Sequence, residues 1–253
     1  RLPVPGDQRD ATTVGHADLV LVLVKAHQTR EALQQHERVL GAETVVLTLQ
    51  NGLQSYDILR ETVAPEQALG GITYQGAELA APGSVIQTTG GRTVFGGDNL
   101  EAAALIASTF EAAGLGPIEV VNDPRSIIWE KQLVSLAFKP ISALTRLPVG
   151  DIVADESLLA IIEDVLSEAE AVAASRGISV DADSALEEVI EIGEANPDHR
   201  SSMLQDVEAN RKTELEAITG AIVEYGRTED IAVPRHETLY ALVRGLEYRY
   251  LSE

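Results

Sequence analysis

"PIEVVNDPRSIIWEKQLVSLAF" (residues 117–138) decides how this chain divides. It opens on a short β-branched run of the kind that fills a strand. It then passes through the turn signal Asn122-Asp123-Pro124 into a segment with helical spacing. Upstream of this point strand-like and helix-like segments alternate; downstream every segment reads as helix.

Working back from it, "LEAAALIASTFEAAG" reads as a helix, and "GGITYQGAEL", "GSVIQTTGG" and "RTVFGG" as short strand-like pieces with glycine turns. "LQSYDILRETV" and "TREALQQHERVLG" are helical, the latter stopped by Gly41. "TVVLTLQNG" (44–52) and "DLVLVLVK" (18–25) read as strands, the second a continuous apolar run expected to be a buried parallel strand. Residues 1–121 are thus expected to form an α/β domain with a mostly parallel sheet. The chain contains no GxGxxG phosphate loop, and "RLPVPGDQRD" at its start reads as loop. A first βαβ unit, of ~30 residues or more, is therefore expected to be missing from this chain.

Working forward, "DESLLAIIEDVLSEAEAVAASRG" is a long amphipathic helix closed by Gly177, and "DADSALEEVIEIGEA" and "RHETLYALVRGLEYRYL" are further helices. Residues 122–253 are expected to be all-α. The last helix carries Leu239, Leu242, Val243, Leu246 and Tyr250, which could pack within its own domain or against a second subunit as a homodimer.

The formal charge of −21 argues against nucleic acid as a partner, because phosphate binding needs a basic face. No apolar run has the length of a membrane span. Cysteine is absent and the five histidines are scattered, so no metal site is expected. Only Lys25, Lys131, Lys139 and Lys212 are lysines. Acid-rich, lysine-poor surfaces suit high salt, where screening removes self-repulsion. The composition points to a halophilic cytoplasmic protein, with an acidic mesophilic one as the plainer alternative.

Three places carry candidate chemistry. Lys25 and Asn51-Gly52 follow predicted parallel strands, at the carboxyl edge where open α/β sheets bind ligands, although turns need such residues too. Lys131, Ser135 and Lys139 form a polar ridge on one side of a helix that Pro140 is expected to kink or end. Such a ridge suits an anionic substrate, and a lysine facing a water-poor site can donate a proton; the bland alternative is a lysine snorkelling over apolar surface. Finally, "SSMLQDVEANRKTELEAITG" (201–220) reads as one helix with Ser202 as cap and Gln205 completing a capping box. Met203, Val207, Ile218 and Ile222 would face a core, and Glu214 falls on that stripe. A carboxylate there needs a partner, and Lys131 is the candidate, either catalytically or as a structural buried pair.

"LVKAHQT", "LQNGL", "GGITYQGA", "PGSV", "WEKQL", "KPISALT" and "SSMLQDVEANRKTELEAITGAIVEYG" with "IAVP" resemble, in order and spacing, the ketopantoate reductase (2-dehydropantoate 2-reductase) family over nearly the whole chain. The resemblance implies a Rossmann-type NADP domain joined to a helical domain like that of 6-phosphogluconate dehydrogenase. It implies reduction of ketopantoate to pantoate with NADPH, NADH being left open because the residues that read the ribose 2′ position are not present. Lys131 matches the family's proton-donating lysine. Glu214 matches the acid at the nicotinamide-ribose end of the cofactor, Asn51 the asparagine where cofactor and substrate meet, Lys25 the cofactor-side lysine and Ser202 the serine that binds the substrate carboxylate. Gly76 lies where a backbone group meets the cofactor. Ser135, Lys139 and Val149 stand where the family often has asparagines, and His199 where another can precede the serines. Those departures leave two alternatives open: a reductase of another branched 2-oxo acid, or a catalytically dead binding protein.

Overall fold

The computed structural model describes residues 15–81 and 84–252, and the predicted loop at 1–10 lies outside them. The chain divides into two units: residues up to Gln50 with Ser55–Pro124, and Asn51–Gln54 with Arg125–Glu253.

Among the described residues the first unit has seven strands, β1 (Leu19–Val22), β2 (Val45–Thr48), β3 (Ala68–Thr73), β4 (Gly76–Ala81), β5 (Ser84–Thr89), β6 (Thr93–Gly96) and β7 (Ile118–Val121). Its helices are α1 (Thr29–Gln35), α2 (Ser55–Thr62) and α3 (Leu100–Ala112). Five strands make a sheet of order β1-β2-β3-β6-β7, parallel throughout except for the antiparallel β3–β6 pair. β4 and β5 form a separate antiparallel hairpin. Leu47, Leu69 and Phe95 of the sheet pack against Ala103, Ile106 and Ala107 of α3. On α2, Tyr56 lies so close over β3 that a Cβ at Gly70 would sit 2.5 Å from its ring, which is why the position is glycine.

"DLVLVLVK" departs from expectation. Only Leu19–Val22 are strand, and Leu21 and Leu23 are 45% and 61% exposed. Among the described residues β1 is the edge strand of the sheet, paired with β2. The loops after β1 and β2 are tied together by buried Gln50. Its Oε1 accepts from Thr48 Oγ1 (2.8 Å) and Thr29 Oγ1 (3.0 Å), and its Nε2 donates to the carbonyl of Val24.

The second unit is helical: α4 (Arg125–Thr145), α5 (Val149–Ala154), α6 (Glu156–Ser175), α7 (Ala182–Ala195), α8 (Ser202–Glu208), a π-helical turn at Glu216–Gly220, α9 (Ala221–Thr228) and α10 (Pro234–Leu251). Asp155 and Asp181 cap α6 and α7 by accepting first-turn N–H groups. α4 is the central element, packed by α5, α6, α7, α8 and α10. Trp129, Leu133, Leu136, Ile141, Val165, Leu166, Val189, Ile218 and Ile222 share its main core. Pro140 does not end α4, which continues to Thr145. Proline removes one backbone hydrogen bond, but surrounding helices bury this turn and Ile141 and Ala143 beyond it, so packing outweighs the local cost.

The stretch 201–220 is not one helix. Ser201, not Ser202, is the cap: its Oγ accepts from Leu204 N–H at 3.1 Å. Gln205 donates to the carbonyl of Arg200 (2.9 Å) instead of completing a capping box with Ser202. α8 then stops after two turns because Asn210 adopts the left-handed conformation (φ 52°). Asn210 N–H bonds Val207 O (3.1 Å) and Arg211 N–H bonds Asp206 O (2.8 Å), the paired closure of a Schellman motif. Arg211 Nε also donates to Asp206 (2.9 Å). Glu214 therefore lies in a bend ahead of the π turn, not on a continuous helical stripe. Met203, Val207, Ile218 and Ile222 are all buried, but in two clusters: the first pair with Leu215, Ala143 and Val243, the second in the main core.

α10 braces that bend. Thr213 N–H donates to buried Glu247 (2.7 Å), Tyr240 Oη donates to Glu216 (2.8 Å) and Tyr250 Oη donates to the carbonyl of Arg211 (3.1 Å). The start of α10 is fixed by α6. Val233 cannot cap it, and Glu168 accepts from Arg235 N–H (2.8 Å), His236 N–H (3.1 Å) and His236 Nδ1–H (2.8 Å).

Candidate active site

Three segments of the helical unit meet around Lys131. α4 contributes Lys131, with Ser135 and Lys139 one and two turns further along the same face, all three half-buried. The bend before the π turn contributes half-buried Glu214. The third segment is Asn51–Gln54. Leu53 is buried in the helical core and its N–H donates to the carbonyl of Ala217 (3.2 Å), while Gln54 donates to Glu224 of α9 (2.6 Å). Gly52 makes the turn at φ 122°, a conformation open to glycine. So held, Asn51 presents its side-chain oxygen to Lys131, and Nζ donates to Oδ1 at 3.2 Å.

Burial pushes Lys131 down from the usual lysine range to about 8, and the charge of Lys139 pushes the same way; the carboxylate of Glu214 opposes both. At neutral pH such an ammonium is still mostly protonated, yet far readier to give its proton than an exposed lysine. The cluster therefore offers a proton donor aimed by a neutral amide, with a carboxylate to favour its charged form and a second cation beside it.

Ser202 stands exposed at the first position of α8, which packs on α4. Lys25 and Gly76 belong to the α/β unit: Lys25 is exposed just past β1, and Gly76 opens β4 opposite Thr89, where a Cβ would come within 2.8 Å of Thr88 Oγ1. Val149 and His199 are neighbours through the backbone, Val149 N–H donating to His199 O (3.0 Å). Sequence reasoning missed Ser201, Leu53 and Asn210. Asparagine just past a helix end is the signal that could have located the break at 209–210. Among the described residues no group of three or more His, Asp or Glu is placed to hold a metal ion, and no helix is long and apolar enough to cross a membrane.

The sequence profile for ketopantoate reductase PanE/ApbA matches residues 1–99, and that for its C-terminal region matches residues 123–247. The chain belongs to the ketopantoate reductase family. It is 35% identical over 250 residues to the 2-dehydropantoate 2-reductase of Halobacterium salinarum, covering 96% of this chain and 80% of that protein. To the enzyme of the same name from Archaeoglobus fulgidus it is 36% identical over 234 residues, 91% of this chain and 77% of that one. Among solved structures it is similar to the PanE/ApbA family ketopantoate reductase from Ralstonia eutropha (TM-score 0.86, 32% identity, 96% of this chain and 80% of that one). It is also similar to a D-mandelate dehydrogenase in ternary complex with NADH and anilino(oxo)acetate (TM-score 0.85, 26% identity, 93% and 78%). The family's members named here are oxidoreductases, and the α/β unit with its mainly parallel sheet and the helical unit are the architecture they share.

Proposed function

We propose that this protein reduces 2-dehydropantoate to pantoate with NADPH, in the cytoplasmic supply of pantothenate and coenzyme A. The observation that carries the reading is Lys131: a half-buried ammonium with its pKa drawn down to about 8 and hydrogen-bonded to Asn51, in the residue that the resemblance matches to the family's proton donor.

Within the α/β unit the exposed ammonium of Lys25, beyond the carboxyl end of β1, suits an anionic dinucleotide. The resemblance to the family assigns Lys25 and Gly76 of the α/β unit and Asn51 and Glu214 of the helical unit to the cofactor, and a bound nicotinamide would supply the hydride to C2 of the substrate. Lys131 then does the work that belongs to the chain. Its ammonium polarises the C2 carbonyl, stabilises the growing alkoxide and passes it a proton from Nζ. Asn51 keeps the Nζ–H bonds pointed, and the Glu214 carboxylate favours the protonated lysine before reaction. Ser202 offers a hydroxyl to the substrate carboxylate, and Ser135 and Lys139 extend the substrate-binding face of α4.

A second reading is favoured by Ser135 and Lys139. They put a hydroxyl and a cation where the family often has amides, which suits another branched 2-oxo acid on the same chemistry. The similarity to a D-mandelate dehydrogenase points the same way.

NADPH oxidation, measured with ketopantoate in molar KCl beside a panel of 2-oxo acids and the Lys131→Ala variant, tests both. Turnover of ketopantoate that collapses in the variant supports the first reading. Ketopantoate as the poorest of the panel overturns it in favour of the second.

A further inference from the structure

The inward stripe of α10 ends on an acid. His236, Leu239, Val243 and Glu247 are buried at spacings of three and four, Glu247 with 6% of its surface exposed. A carboxylate in that place is costly unless it is hydrogen-bonded. Glu247 accepts from Thr213 N–H at 2.7 Å, a charge-assisted bond to a residue that is itself buried. Thr213 lies in coil between α8 and the π turn, so the carboxylate stands in for the helical carbonyl that would otherwise satisfy this N–H.

The residues that follow build on that bond. Thr213 Oγ1 accepts from Leu215 N–H (3.1 Å), bridging Glu214, and the carbonyl of Glu214 accepts from Ala217 N–H (3.1 Å) and Ile218 N–H (3.2 Å). Glu214 is thus pinned from both sides, and Glu247 anchors the nearer side to another helix. Tyr250 supports this placement of the charge: burial first, then the carboxylates of Glu247 and Asp206, push its hydroxyl up. Lys139 on α4 and Glu214 in the bend both act on Lys131 through their charges. Glu247 meets the bend through Thr213 N–H, so its influence on the donor runs through the backbone.

We propose that Glu247 is a positioning residue for the proton donor: by seating Thr213 N–H it sets the backbone that carries Glu214 in the cluster around Lys131. The proposal rests on the reductase reading, which makes Lys131 the donor. With the bond broken, the bend relaxes and the Glu214 carboxylate retreats. Lys131 then loses the charge that favours its ammonium and gives up its proton at lower pH.

The full chain labelled with ε-13C lysine has only four ammonium signals to follow. The Lys131 signal is assigned from Lys131→Ala and titrated over roughly pH 6 to 11. Neither cofactor nor substrate is needed, so failure here is distinct from failure to reduce ketopantoate. Glu247→Met keeps most of the volume and removes the acceptor, and the Lys131 midpoint should fall by roughly half a unit or more. Glu247→Asp withdraws the acceptor by one methylene and should shift the midpoint the same way, which keeps the test open should the methionine variant not fold. Glu247→Gln keeps an oxygen for Thr213 N–H and should leave the midpoint in place. In a Glu214→Gln background, Glu247→Met should add no further shift. Ser201→Ala, which weakens the cap of α8, should lower stability without moving the midpoint. With a substrate that turns over, the basic limb of kcat/KM should follow the midpoints. A midpoint unmoved in both the methionine and aspartate variants, a glutamine shift as large as that of methionine, or a full shift in the Glu214→Gln background overturns the proposal.

Discussion

Removing the carboxylate of Glu168 should unfasten α10, and the structure gives the size of the effect. In Glu168→Ala three donors lose their acceptor: Arg235 N–H, His236 N–H and the His236 ring. Arg235 is exposed, so water can replace the carboxylate there, but His236 is fully buried and its two donors are stranded. A buried donor left unpaired costs about 1–3 kcal/mol, which puts the loss at about 3 kcal/mol. For a chain of this length that is a fall in Tm of roughly 6–12 °C. Burial alone would raise the pKa of Glu168, but the bonds from the His236 ring and from the N–H groups of Arg235 and His236 outweigh it and hold the carboxyl below its usual range. Its contribution is therefore complete above the unfolded value, about 4.3, and is lost as pH falls through the lower folded value. Urea titration of both proteins at neutral pH, with the m-value as control, reads the difference, and repeating it near pH 3 should narrow the gap. A change below about 0.5 kcal/mol at neutral pH would refute the assignment of Glu168 as the cap of α10.

Four further outcomes follow from the helical unit. On the proposed mechanism Lys131 acts in its protonated form, so kcat/KM should be flat below, and fall as pH rises through, about 8; a profile flat to pH 10 would exclude Lys131 as the titrating acid. Glu214→Gln removes the carboxylate that raises the Lys131 pKa, so the same limb should move to lower pH, with kcat/KM at pH 8 down several-fold or more. Ser201→Ala should cost about 1 kcal/mol in urea titration with KM little changed, because Ser201 is the cap. Ser202→Ala should raise KM with little effect on stability, and the reverse pattern would exchange the two roles.

Much of the fold was legible because its elements are locally consistent. Asp155 and Asp181 stand where helices begin, Gly177 turns at φ 70° past the end of α6, and the valine-rich runs of β2 and β7 lie in the sheet. What periodicity could not see was interruption. The apolar spacing from Met203 to Ile222 continues across a Schellman closure and a bend, because buried residues on both sides of the break still find a core: Met203, Val207 and Leu215 in one cluster, Ile218 and Ile222 in another. Glu214 was therefore placed on a helical stripe that does not exist, yet its charge does act on Lys131. The end of "DLVLVLVK" departs from expectation because hydrophobicity reports what a strand can bury, not what the structure lays over it: among the described residues Leu21 and Leu23 stay exposed. Pro140 does not end α4 for the opposite reason: the local rule for stopping a helix is outweighed by the burial of the turn beyond it. Within the site, the Lys131 ridge was visible from spacing alone. The attachment of Asn51 to the helical unit was not, because it depends on Leu53, an ordinary apolar residue whose partner lies more than a hundred positions away.

That attachment rests on the π turn. A turn of this kind takes one residue more than the α-helical turn it replaces, and Ala217 within it accepts the N–H of Leu53 from outside the helix. Residue count and catalytic geometry are thereby linked. Shortening Glu216–Gly220 by one residue would let the turn relax to a regular helix, but would rotate Glu214 and everything before it by about 100° against α9. Homologous chains should tolerate substitutions in this segment more readily than changes in its length, and a one-residue deletion should abolish activity while leaving helix content almost unaltered.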